Sequence, residues 1–275
     1  MIAPVLPFGG VAGWNFLSRT IETQKEVVTA SPSTQRDLAY FRERIGSVES
    51  AQDLVEDFTL MKVALGAFGL QDDQANRFFI GRVLEEGTFD RGSLANRLSD
   101  PRYKALSDAF GFGDLGGPWT SLPGFADRIV SAYRDQTFEV AVGKVDSDMR
   151  LALGMSREID RIVDSFDSDD ARWFGVIGAP PVRAVFEKAL GLPESFAGLD
   201  IDRQLSIFRA RSEDVFGVSE VSDFASPETR DALRDRFLLM SELSGGGPRS
   251  ATAPIISLFS GSAGAASILQ VLYSR

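Results

Sequence analysis

The chain contains no cysteine and no histidine. The first absence excludes disulfides, thiolate nucleophiles and sulfur-ligated metals. The second removes the commonest metal ligand and the usual general base near neutral pH. Lysine is scarce as well, 5 residues against 24 arginines, and the formal net charge is −10. No basic stripe of the kind that meets nucleic-acid phosphates is present, so nucleic acid is not an expected partner. Alternation of apolar and polar residues at strand period is essentially missing. Neither a phosphate-binding loop ending in Gly-Lys-Ser/Thr nor a Gly-x-Ser-x-Gly elbow occurs, and serine catalysis has no histidine to draw on. The opening Met1-Ile-Ala-Pro-Val-Leu-Pro-Phe8 has no basic n-region and is broken by Pro4 and Pro7, so a cleaved secretory signal is not expected.

What is present is ordinary globular material: 275 residues, 44% hydrophobic and 25% charged. That suffices for one large helical domain or two smaller ones, each with a real core. Val11, Trp14, Leu17, Ile21 and Val28 recur at helical spacing after a Gly- and Pro-containing lead-in, giving an amphipathic first helix. Ser31-Pro32 stops it and starts a second through Leu38, Phe41 and Ile45. A third opens at Ser50, with Asp53 placed for a capping box, and continues through Leu54, Phe58, Met61 and Leu65. Residues 72–86 stay in helical register with Phe78, Phe79, Val83 and Leu84, and Asp100-Pro101 starts a further helix. From about Pro123 to Phe166 the spacing predicts one long helix, with Gly143 or Gly154 as places for an interruption. Helices follow at 169–177, 180–191, 200–216 and 227–243. The class is therefore all-α, a multi-helix bundle with amphipathic helices at both chain ends.

The glycine-rich stretch Phe110–Trp119 sets the expected organisation: an N-terminal helical half over 1–115, a C-terminal half over 116–248 beginning with the long helix, and an apolar C-terminal helix over 249–275. Ala64-Leu65-Gly66 has a counterpart in Ala189-Leu190-Gly191, and Ala105–Phe110 has one in Ala232–Phe237. Either the halves descend from a repeat, or Ala- and Leu-rich helices match by chance.

Three motifs invite chemistry. Gly111-x-Gly113-x-x-Gly116 has the letters of a dinucleotide fingerprint, but a helix precedes it and Gly117-Pro118 follows, where the fingerprint needs a strand and then a helix. Asp167, Asp169 and Asp170 cluster before Trp173 without the glycine and distal glutamate of a calcium loop, and read as a helix start. The pairs Asp72-Asp73 and Glu85-Glu86 leave carboxylate-only catalysis open, since glycoside hydrolysis needs only two carboxyls. No catalytic, cofactor-binding or metal residue is assigned. The run Ser250–Ser274 carries no charge and is long enough to span a membrane. Its serines, glycines and Pro254, set against the stripe Ile255, Phe259, Ala266, Leu269 and Leu272, favour a packing helix over a transmembrane one.

Gly13-Trp14-Asn-Phe16-Leu17, Arg36-Asp37-Leu38-Ala-Tyr40-Phe41 and Asp57–Leu70 with its Ala67-Phe68-Gly69-Leu70 ending, followed by Ala95–Leu98 and Phe110-Gly-Phe112, resemble a family of uncharacterised bacterial proteins whose genes tend to sit in flagellar clusters. The match is most specific over residues 11–115. These are core-helix signatures, so the resemblance implies a context and carries over no functional residue. Flagellar axial proteins are poor in cysteine, lack a cleaved signal and assemble through apolar terminal helices. The resemblance thus implies a non-enzymatic flagellum-associated structural, assembly or export factor, in the cytoplasm or at the flagellum. Its partner would be a flagellar component or another copy. The residues expected to meet that partner are Trp14, Leu17 and Ile21 from the first helix and Phe259, Leu269 and Leu272 from the last. Two alternatives stay open: a carboxylate-only hydrolase acting on cell-wall glycans, and a helical protein held at a membrane surface.

Overall fold

The computed structural model describes residues 2–244, so the expected helix over 249–275, with Phe259, Leu269 and Leu272, lies outside the described residues. Every regular element among the described residues is helical. The chain divides into two compact units. Among the described residues, unit 1 comprises Ile21–Val142 with the extreme N-terminus, and unit 2 comprises Val5–Thr20 with residues 143–244. The division thus falls between Val142 and Gly143, whereas the sequence reading set it at 115/116. The first helix, α1 (Gly10–Thr29), contributes residues to both units.

In unit 1, α2 (Pro32–Arg44) starts as its sequence dictates: the Ser31 hydroxyl accepts from the Thr34 N–H at 3.3 Å and Pro32 fills the first turn. The capping box also forms. Asp53 N–H donates to the Ser50 hydroxyl, and the Ser50 N–H donates back to Asp53. The expected single helix from there to Leu65 is in fact two, α3 (Ala51–Glu56) and α4 (Phe58–Ala67). Asp57 makes the break, because its carboxylate caps α4 by accepting from Thr59 and Leu60 N–H at 2.9 and 3.0 Å. Residues 72–86 also begin differently: a 3₁₀ turn covers Gln71–Asp73, and α5 runs only from Arg77 to Glu86.

Next come the short α6 (Leu94–Arg97), then α7 (Pro101–Phe110) and α8 (Phe125–Gly143). The α7 helix ends on Gly111, whose φ of +66° is the left-handed conformation that glycine adopts without penalty. The loop that follows belongs to unit 1. Phe112 and Trp119 pack against a core that includes Phe41, Phe110, Phe125 and Ile129. Pairs such as Lys62–Asp37, Lys25–Asp135 and Arg42–Asp127 rim this core at 2.6–2.8 Å.

The long helix expected from 123 to 166 is interrupted at the first of the two glycines named for it. Gly143 ends α8, and the Asp146 carboxylate caps α9 (Ser147–Ser165). Unit 2 adds α10 (Asp169–Gly178), α11 (Pro180–Ala189), α12 (Ile201–Phe216) and α13 (Pro227–Ser244), close to the expected bounds. Helices α9, α11 and α13 pack on one another. Their neighbours enclose an aromatic cluster in which Trp173 stacks on Phe208 at 5.4 Å and meets Phe186 edge-on, while Phe186 meets Phe224. The Trp173 indole N–H donates to the Ser219 carbonyl at 2.9 Å, so the largest buried side chain leaves no donor unsatisfied.

Each unit ends one helix in the same way. Leu70 N–H reaches back to the Leu65 carbonyl across Gly69, and Leu192 N–H to the Glu187 carbonyl across Gly191, at 2.8 and 2.9 Å, with both glycines at positive φ. The counterpart of Gly191 in this respect is Gly69. Gly66, matched to it in the sequence, is buried against Tyr133 inside the α4 helix.

Candidate interaction surfaces

Of the carboxylate pairs singled out in the sequence, one member of each, Asp73 and Glu86, is engaged structurally. Asp73 accepts the Tyr103 hydroxyl at 2.8 Å. Glu86 is bonded to Arg82 and accepts the Leu94 N–H at 2.7 Å. Hydrogen bonding from Arg82 and from Leu94 holds Glu86 below the ordinary carboxylate range, and hydrogen bonding to Ser50 does the same for Asp53. Both shifts run opposite to the raised pKa of a general acid. Tyr103 is pushed up to about 12, first by burial and then by its bond to Asp73.

The Asp167–Asp170 cluster is more than a solvated helix start. Asp169, with a side chain only 11% exposed, receives Arg209 at 2.6 Å and the Val221 N–H at 2.8 Å. It therefore ties α10 to α12 and to the 3₁₀ turn at Val221–Ala225. Asp170 takes the other arm of the Arg209 guanidinium at 2.6 Å. An open groove of about 550 Å³ lies beside this fork, lined by Asp170, Asp202, Ser206, Arg209 and Glu213. Its one cation is already paired and its remaining charge is acidic. Among the described residues no group of His, Cys, Asp or Glu is arranged to hold a metal ion.

The Gly111–Gly116 motif lies in a loop between helices, as its context required. Asp114 is the organising residue: its carboxylate accepts from the Thr88 and Phe89 N–H at 2.6 and 2.8 Å and from the Thr88 hydroxyl at 3.1 Å. The Thr88–Phe89 turn and the glycine loop are thereby laced together, with Phe89 and Leu115 left exposed.

Surface apolar residues carry more information than the polar clusters. Of the residues expected to meet a partner, Leu17 is fully buried and so has no surface to offer. Trp14 is half-buried under the Arg234 guanidinium, 4.8 Å from its ring, and Ile21 is partly buried. Neighbouring residues remain available. The Glu242 carboxylate lies against Gly9 and Gly10, occupying the space a side chain at Gly10 would need, at the helix terminus where an anion is favoured. The lead-in bearing Phe8 thus runs beside the last turn of α13, whose Leu239 and Leu243 are also exposed. Elsewhere, a groove of about 350 Å³ between α3 and α5 is edged by Phe78, which at 82% exposure is the barest large apolar residue described. In the sequence Phe78 reads as one of the apolar residues of this helix, with Phe79, Val83 and Leu84. No described helix is long and apolar enough to cross a membrane.

No curated protein matches the sequence. A crystal structure of an Agrobacterium tumefaciens protein is similar at 27% identity, with a TM-score of 0.69, and the alignment covers 88% of this chain and 99% of that one. The family model described as "Protein of unknown function (DUF1217)" matches residues 67–229, more than half of the chain, and the protein belongs to that family.

Proposed function

We propose that the protein is a non-enzymatic, flagellum-associated structural, assembly or export factor, cytoplasmic or at the flagellum, that works through helix–helix contacts. The flagellar context rests on the resemblance of the segments around Trp14, Arg36–Phe41 and Asp57–Leu70 to proteins of flagellar gene clusters. The observation that carries the mechanism is the set of apolar side chains left uncovered beside the Gly10–Glu242 contact: Phe8 at 50% exposure, Leu239 at 48% and Leu243 at 70%. Single exposed apolar residues need no explanation, but several on adjoining elements suit an interface. In the sequence Leu239 and Leu243 are followed, after Ser244–Arg249, by the uncharged run Ser250–Ser274.

The test is affinity capture from cells actively building flagella, with the full-length protein and a form lacking 249–275, read by mass spectrometry. The full-length form is expected to bring down flagellar components that the shortened form does not, while circular dichroism and melting temperature stay close to each other. Recovery of no flagellar component by the full-length protein overturns the reading. Unfolding of the shortened form would show that the segment belongs to the core.

A further inference from the structure

On α5, Arg77, Gly81 and Glu85 follow at i, i+4 and i+8, one ridge of the helix surface. The ridge is basic at one end, acidic at the other and empty in the middle. A Cβ added at Gly81 would only touch Val55 Cγ2 at 3.7 Å, so the notch opens toward Val55 in the groove between α3 and α5, whose rim is otherwise largely polar. Phe78 stands one turn along, 82% exposed. Arg77 and Glu85 are exposed, and neither forms an ion pair with another described residue. By contrast Arg82, on the adjoining ridge, is already committed to Glu86.

A ridge with this order of charges is complementary to itself under a two-fold rotation. With the axis at Gly81, antiparallel copies of α5 set Arg77 of each against Glu85 of the other, because the two positions are equidistant from the axis. The glycines face each other at the crossing and let the helices approach closely. Each Phe78, three residues from the axis, then moves from water toward position 84 of the facing copy's α5. A second copy pairs both exposed charges and covers the exposed aromatic at once, in the isologous manner of two-fold interfaces.

From this geometry we infer that α5 is a homodimer contact, its partner a second copy of this chain. The contact is small beside a standard interface, so the dimer is transient, with a dissociation constant on the order of micromolar. It uses a surface of unit 1 separate from the one invoked for flagellar contacts, and the two readings stand or fall separately.

The experiment is sedimentation equilibrium of the full-length protein from about 1 μM to about 1 mM, a range bracketing micromolar affinity. The parent is expected to pass from monomer to dimer across it. Phe78→Asp is expected to remain monomeric at every concentration while keeping the parent's circular dichroism, and Phe78→Ser checks that size loss alone weakens the pair. Arg77→Glu and Glu85→Arg should each weaken dimerisation roughly tenfold or more, since each change turns two symmetric attractions into repulsions. Arg77→Glu combined with Glu85→Arg rebuilds the ridge with its polarity reversed and should restore the parent affinity. A parent that stays monomeric to about 1 mM overturns the inference. So does a dimer indifferent to Phe78→Asp, or a double variant no tighter than either single one.

Discussion

A single carboxylate, Asp114, fixes the turn after α5 by accepting three hydrogen bonds from Thr88 and Phe89. Charge-assisted bonds of this kind are each worth more than a neutral one, but the freed N–H groups can turn to water here. Asp114→Ala is therefore expected to cost about 1–3 kcal/mol. Amide exchange should speed up first at Thr88 and Phe89, and unchanged protection there would refute the assignment. Tyr103 offers a second test at this scale. Its folded pKa of about 12 lies above the ordinary 10.0, so the folded state holds the phenolic proton more tightly than the unfolded one. That contribution is complete below pH 10.0 and disappears as pH rises toward about 12. Burial is the largest cause and the hydrogen bond to the Asp73 carboxylate the next, so Asp73→Asn should bring the ionisation partway back toward 10.0 in an absorbance titration.

At the scale of elements, most of the helices were legible because their ends carry chemical signals. Ser31-Pro32, the Ser50/Asp53 box and Asp100-Pro101 each cap a helix where expected. The break at Asp57 was missed because Leu54, Phe58, Met61 and Leu65 keep helical period straight across it, and periodicity records only which face is apolar. The cap was visible all the same: an aspartate whose side chain satisfies the free N–H groups of Thr59 and Leu60. Asp57 also accepts the Tyr40 hydroxyl at 2.7 Å. Asp57→Ala should destabilise unit 1 by about 1–2 kcal/mol. Asp57→Ser, which keeps a capping oxygen, should recover most of that in denaturant melts. Phe78 repeats the lesson in reverse. Ile80, Val83 and Leu84 define the buried face of α5, and at about 100° per residue Phe78 projects nearly opposite to it. Its exposure could have been read from the sequence had each apolar residue been tested against the stripe.

At the scale of the whole molecule, glycine content is a poor marker of the boundary between the units. The loop after α7 is rich in glycine, yet Phe112 and Trp119 anchor it to the core of unit 1, whereas the division comes where Gly143 and the Asp146 cap separate two long helices. Of the expected partner residues, three fell beyond Ser244 and Leu17 proved buried, since an amphipathic stripe looks the same whether it meets its own core or another protein. A division defined by packing makes a thermodynamic prediction. Each unit has its own large aromatic side chains, Phe41, Phe110 and Phe125 in unit 1 and Trp173, Phe186, Phe208 and Phe224 in unit 2. Trp173→Ala removes the centre of the second set and should cost about 3–5 kcal/mol, a large share of the roughly 5–15 kcal/mol that holds a domain folded. If the units are separate cooperative blocks, amide protection should fall across α9–α13 while α2–α8 keep theirs. Equal loss in both would mean that α1, which contributes residues to each, makes them unfold as one.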